Sequence, residues 1–269
     1  MDDFWLKQTS QEPLFPDLLW SRPENRTAAG KLLIIGGNAH GFAVPAEAYA
    51  AATTAGIGTA RVLLPDVLQK TVGHAFADGE FAASTPSGSF AKSALGEFLA
   101  QAAWADGVLL AGDLNRNAET AILLEQFVQK YTGPLTVTRD AVDYFYGSPG
   151  LLAERTDTCL VLSLSQLQKL GGALHFETPF LLGMGVMLLV QALHTFTMRW
   201  PLTVVTRESD NFIVAHDGRV VTVKAGEYSE KEDLWRVVVA AKAGVWWLQN
   251  TTKPLQAITT ALTPDEYIT

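Results

Sequence analysis

The chain has 269 residues, 48% of them apolar and 18% charged, with 28 acidic against 20 basic side chains and a formal net charge of −8. That is enough apolar sequence for a sizeable core, and the length fits one doubly wound α/β unit. The acidic balance and the lack of any Lys/Arg run argue against a nucleic-acid-binding surface and read as solubility.

Residues 1–30 read as an irregular lead-in, and the opening MDDFWLKQTSQEPLF has no apolar stretch that would make it a signal peptide. Six short apolar runs read as strands: Leu32–Ile35, Ala60–Leu64, Val108–Ala111, Leu135–Thr138, Leu160–Leu162 and Leu202–Thr206. Helical stretches lie between most of them; Ala46–Ala55 is alanine-rich, and Ala118–Lys130 has apolar residues at helical spacing. Runs that are apolar on both faces and alternate with helices predict a mainly parallel sheet covered on both sides. The lone Cys159 sits in an apolar run and reads as a buried small hydrophobe rather than a nucleophile; this cysteine usage fits a reducing cytoplasm, the expected location.

The most apolar stretch, PFLLGMGVMLLVQALHTF, covers residues 179–196. Its unbroken part, Pro179–Val190, is shorter than the roughly 20 residues that span a bilayer. With Thr178 as N-cap and Pro179 in the first helical position, it reads as a buried helix, and no membrane association is expected. Further on, NFIVAHDGRVVTVKAG predicts an antiparallel hairpin around Asp217-Gly218. A last long helix is expected over Lys231–Leu248, with Trp235, Trp246 and Trp247 used in packing. No repeat or linker divides the chain, so one domain is expected over 1–269.

The chemistry centres on KLLIIGGNAHG, residues 31–41. This is neither the dinucleotide fingerprint G-x-G-x-x-G nor a P-loop, because no G-K-[ST] follows. Two readings stay open: a tight strand-to-helix turn that needs positive φ, or backbone N–H groups and a helix N-terminus facing an anion. His40 lies in that turn, as a ligand contact or a solvated side chain. The five histidines show no metal-ligand spacing, so no metal site is expected. There is no G-x-S-x-G. Asp140 and Asp143 follow a strand, where α/β folds place ligands, although carboxylates there also suit a helix N-terminus.

Residues 21–65, SRPENRTAAGKLLIIGGNAHGFAVPAEAYAAATTAGIGTARVLLP, resemble the opening of the ATP- or ADP-dependent NAD(P)H-hydrate dehydratases. Gly36, Gly37, Asn38 and Gly41 match that family's G-G-S turn, with Asn38 in place of serine, and Ala55-Gly56-Ile57-Gly58 matches its A-G-A-G segment. More weakly, WADGVLLAGDL (104–114), TVTRDAV (136–142) and VVTRESDNFIVAHDGRVVTVKAGE (204–227) are similar to later family segments in the same order, with Asp140 on an acidic position of V-L-D-A-D-A-L. The resemblance implies a ribokinase-like fold and, in an active member, use of ATP or ADP with magnesium.

The chain departs from the family at the motif N-P-G-M-A-T-G-G-T-G-D, whose glycines form an anion hole and whose Asp is the general base. From Gly226 onward it reads GEYSEKEDLWRVVVAAKAGVWW: Asp233 falls on that Asp, but Lys231-Glu232 stand where glycines should. G-P-G-L-G is reduced to Ala111-Gly112-Asp113-Leu114, and T-P-H-P-G-E has become VLSLSQL (161–167), with Gln166 in place of Glu. The candidate ligand-binding residues are therefore Gly36, Gly37, Asn38, His40, Gly41, Asp140, Gln166 and Gly226, and the candidate catalytic residue is Asp233. The expectation is a diverged, non-catalytic, homo-oligomeric protein with a binding or structural role and an unidentified small-molecule ligand. The alternative is an active dehydratase or small-molecule kinase with a rebuilt site.

Overall fold

The computed structural model describes residues 3–9, 12–73, 79–225 and 234–263. The strands are β1 (Trp5–Lys7), β2 (Lys31–Gly36), β3 (Thr59–Pro65), β4 (Gly79–Ala82), β5 (Gly107–Gly112), β6 (Leu135–Thr138), β7 (Thr158–Leu162), β8 (Thr203–Glu208), β9 (Asn211–His216) and β10 (Arg219–Lys224). They form one ten-stranded sheet in the order β1-β10-β9-β8-β7-β6-β5-β2-β3-β4. Neighbours run parallel except at β8–β9 and β9–β10.

The six strands expected from sequence are all present, as is the hairpin around Asp217-Gly218. Both hairpin residues have positive φ, 47° and 69°, which the Asp-Gly pair accommodates. Alternation along each strand feeds two cores. Leu33 and Ile35 of β2 and Val108 and Leu110 of β5 join one face with Phe90, Phe98 and Phe127. Leu32, Ile34, Leu109 and Ala111 join the other, with Trp246 and Trp247. The second face is covered by helices Ala43–Thr54, Trp235–Gln249 and Pro254–Leu262, the first by Leu95–Trp104, Ala118–Lys130, Leu164–Ala173 and Val186–Arg199. Cys159 is fully buried, and burial pushes its thiol pKa up to about 12.

Three expectations need correction. The lead-in contributes β1, which pairs with β10, and a short helix, Pro16–Trp20. The helix expected from Pro179 begins at Val186, with Gly185 as N-cap. Phe180 is buried among Phe176 and Phe196, with ring centroids 5.3 and 5.4 Å away, and Gly183 takes φ +80°; this aromatic anchor and left-handed turn override the Thr-Pro start signal. That helix is also only half buried: Leu189, Val190, Ala192, Leu193, Phe196 and Thr197 face the core, whereas Met187, Leu188 and Met198 face solvent. The final helix runs Trp235–Gln249, and residues 231–233 of its expected span lie outside the described residues. No helix among the described residues is long and apolar enough to cross a membrane.

Candidate functional site

Strand order reverses direction between β2 and β5: the chain runs from β2 outward to β3 and β4, then returns to the other side of β2. In open α/β sheets, ligands sit at the carboxyl ends of the strands flanking such a switch point. The glycine turn after β2, the loop after β5 and the segment after β6 all meet there.

The two glycines of the turn have different local causes. Gly36 pairs with Gly112 across β2–β5, and a Cβ on Gly36 would lie 2.5 Å from the Gly112 carbonyl oxygen. Gly37 takes φ +88°. The backbone N–H groups that follow are all engaged within the chain. Gly37 donates to Gly112 O (3.1 Å), Asn38 to Gly41 O (3.0 Å), Ala39 to Gly88 O (2.9 Å) and Gly41 to Asn38 O (3.0 Å). His40 N–H donates to Asn38 Oδ1 (2.8 Å), while Asn38 Nδ2 donates to Asp113 O (2.6 Å). The turn joins β2 to helix Ala43–Thr54 as expected, but its donors brace neighbouring loops and none from 37 to 41 points unpaired at an anion. The His40 side chain is exposed and does not line the cleft described below.

The β5 loop is closed in the same manner. Asp113 and Asn115 both take φ 59°, the left-handed conformation that Asp and Asn tolerate better than other non-glycine residues. Asp140 accepts from Asp113 N–H (2.7 Å, Oδ1) and Leu114 N–H (2.8 Å, Oδ2), so both carboxylate oxygens tie the β6 end to the β5 loop. Burial raises the Asp140 pKa, with the nearby Asp113 charge adding to it, against lowering by the two N–H groups and Arg139. Arg116 N–H donates to Asn115 Oδ1 (2.8 Å) and Asn117 N–H to Tyr144 Oη (3.4 Å). The Asn117 side chain caps helix Ala118–Lys130 by accepting from Glu119 and Thr120 N–H.

Arg139 stands between these loops with φ 55° and ψ −142°, a strained conformation for a side-chain-bearing residue. Its guanidinium lies 3.5 Å from Asp113 and its carbonyl accepts from Gln166 Nε2 (2.7 Å). Gln166, in a capping box with Ser163, also donates to Asp143 Oδ1 (3.1 Å) and accepts from the buried Arg236 Nη1 (2.6 Å). Gln166 is thus an internal clasp between three elements.

Beside these clasps opens a cleft of about 500 Å³ lined by Asn115, Arg116, Asn117, Ala118, Asp140, Asp143, Tyr144, Tyr146 and Lys169. Burial raises the Tyr144 pKa to about 12 and pushes Tyr146 higher still, so both phenols are neutral at physiological pH. The Tyr144 hydroxyl donates to the Asn115 carbonyl. The cleft therefore offers two tyrosines, the cations Arg116 and Lys169, the acid Asp143 and the side-chain amides. Among the described residues, Asp140 and Asp143, both singled out in the sequence as following a strand, line it; Asn38, Gln166, Gly36, Gly37 and Gly41 brace its surroundings. Gly226 and Asp233 lie outside the described residues. Sequence reasoning missed Tyr144, Tyr146, Lys169 and Arg116; the aromatic pair in DYFYG just after Asp140 was the available signal. Among the described residues, no group of three His, Cys, Asp or Glu side chains could hold a metal ion.

No known family's sequence profile matches the chain, and no curated protein matches it in sequence. Solved structures match in fold. A ribokinase-like superfamily protein of Enterococcus faecalis V583 superposes with TM-score 0.73 at 13% identity, over 97% of this chain and 86% of that one. A hypothetical protein of Streptococcus mutans gives 0.62 at 18% identity over 91% and 86%. The ADP/ATP-dependent NAD(P)H-hydrate dehydratase of Bacillus subtilis, crystallised with ATP and magnesium, gives 0.59 at 12% identity over 94% and 87%. Identities this low carry the fold alone, and the fold is ribokinase-like.

Proposed function

We propose that this protein is a small-molecule-binding member of the ribokinase-like superfamily that does not catalyse nucleotide-dependent chemistry. Its ligand would lie in the cleft between Asn115–Ala118, Asp140–Tyr146 and Lys169. One observation carries this reading: at the switch point, the backbone N–H groups of residues 37–41, 113, 114, 116 and 117 all have partners inside the chain. Phosphoryl transfer depends on oriented donors that are free to meet the moving phosphoryl group. At the switch point these donors hold loops together, so recognition in this cleft falls chiefly to side chains.

The sequence approaching helix Trp235–Gln249 supports the same reading. Residues 226–233, GEYSEKED, carry one glycine, four carboxylates and one lysine. Carboxylates next to a helix N-terminus take the place that an anion would occupy and repel a phosphate. That segment is a poor fit for ATP or ADP with magnesium. Calorimetric titration with either nucleotide and magnesium should give millimolar binding, about −4 kcal/mol, or weaker. Micromolar binding would sink the reading.

The second reading is an active NAD(P)H-hydrate dehydratase or small-molecule kinase that uses Asp233 as general base. It is favoured by Asp113, which keeps a left-handed turn within the segment that the resemblance sets against G-P-G-L-G. Incubation with hydrated NADH and ATP or ADP separates the two. NADH recovery that falls on Asp233→Asn would establish the enzyme, and none is expected.

A further inference from the structure

The stretch that looked like a buried helix leaves its outer side uncovered. Leu181 is 53% exposed, Leu182 64%, Met187 62%, Leu188 57% and Met198 68%. Along helix Val186–Arg199 the exposed positions are Met187, Leu188, Gln191, Thr195, Met198 and Arg199, one face at helical spacing; Leu181 and Leu182 extend it beyond the N-terminus. The five apolar side chains leave on the order of 500 Å² in water, near the top of the roughly 300–600 Å² of a monomer's largest apolar patch. A standard specific interface takes about 800 Å² per partner, so this stripe can form the core of one.

We infer that this face is the interface of a homodimer, in which helix Val186–Arg199 packs antiparallel against the same helix of a second copy. Charge points to a copy of this chain. The chain carries a net charge of −8, so an identical molecule is repelled in general, yet no Asp, Glu, Lys or Arg lies between Glu177 and Arg199. Two copies can meet over Leu181–Met198 without burying an ion, with Arg199 at the rim of the contact. The spacing is self-complementary, as a twofold interface requires. With the axis between Gln191 and Thr195, Met198 of each copy falls against the Met187–Leu188 pair of the other, and the two uncharged polar residues meet in the middle.

Other occupants fit less well. A membrane-surface helix needs Lys and Arg on its polar side, and within this helix only Arg199 at the very end is basic. The longer segments outside the described residues offer no apolar cover of this size: 226–233 (GEYSEKED) and 264–269 (PDEYIT) are acidic and polar, and 74–78 (HAFAD) has one large apolar side chain.

Sedimentation velocity of the full chain at micromolar concentration tests the inference. The unmodified protein should sediment as a dimer. The double variant Met187→Glu, Leu188→Glu should be monomeric, its dissociation constant raised about a hundredfold or more because two carboxylates per copy would be buried against the apolar Met198 of the other. Carboxylates in the first turn suit the helix, so circular dichroism and melting temperature should hold. Thr195→Arg, at the centre of the stripe, should also weaken the dimer. A monomeric unmodified protein, a double variant that remains dimeric, or a monomer that instead co-sediments with phosphatidylcholine vesicles would each overturn the inference.

Discussion

Asp140 is the side chain on which the cleft wall depends, and its removal has a magnitude that the geometry bounds. Asp140→Ala takes away the acceptors of Asp113 N–H and Leu114 N–H, at 2.7 and 2.8 Å. A buried donor left unpaired costs about 1–3 kcal/mol. Leu114 is fully buried and carries that cost in full; Asp113 is half-buried, and water recovers part of it. Against this, the variant relieves the desolvation of a buried carboxylate, the largest cause of the raised Asp140 pKa. The net loss should be about 2–4 kcal/mol, or about 4–12 °C in melting temperature for a chain of this size. Asp140→Asn keeps one acceptor and should fall between. The sign of the pH dependence follows from the raised pKa. The folded state holds the proton more tightly than the unfolded one, so the stability Asp140 contributes is greatest in acid. It declines as pH rises from 3.8 through the folded-state pKa. Asp140→Asn should lack this component of the decline. Calorimetric melts of the three proteins across that range provide the assay. A melting temperature of Asp140→Ala within about 2 °C of the parent would refute the argument that this carboxylate holds the β5 loop. So would a parent whose stability rose, relative to Asp140→Asn, over the same window.

Gly36→Ala should cost about 1–3 kcal/mol or more, because its new Cβ would meet the Gly112 carbonyl and the Gly37–Gly112 hydrogen bond keeps the two backbones together. A urea midpoint that did not move would show that the β2–β5 approach is looser than described. Cys159, buried and with its pKa pushed up to about 12, should resist iodoacetamide at pH 8 in the native protein and react once urea exposes it. Native-state alkylation at the rate of a free thiol would contradict its burial.

Much of the architecture was legible in the sequence because burial on both faces leaves a mark on composition. Leu32–Ile35, Val108–Ala111 and Leu160–Leu162 are apolar at every position since each face of the sheet meets a core. Asp217-Gly218 was legible because the turn's backbone demands it locally. β1 was not, since three residues become a strand only by pairing with β10, more than 200 positions away. Thr178-Pro179 carried a valid local start signal that lost to the packing of Phe180. The candidate site divides along the same line. The sequence alone determined that a glycine turn follows β2 and that carboxylates follow β6. Tertiary structure decided what those groups do. Gly112, Gly88 and Asp113 take up the turn's donors, and the Asp113 and Leu114 N–H groups occupy Asp140, from 26 to 75 positions away. A residue pattern records the backbone conformation a turn needs and the face a side chain buries; the partner of each hydrogen bond is set only when strands distant in sequence come into register.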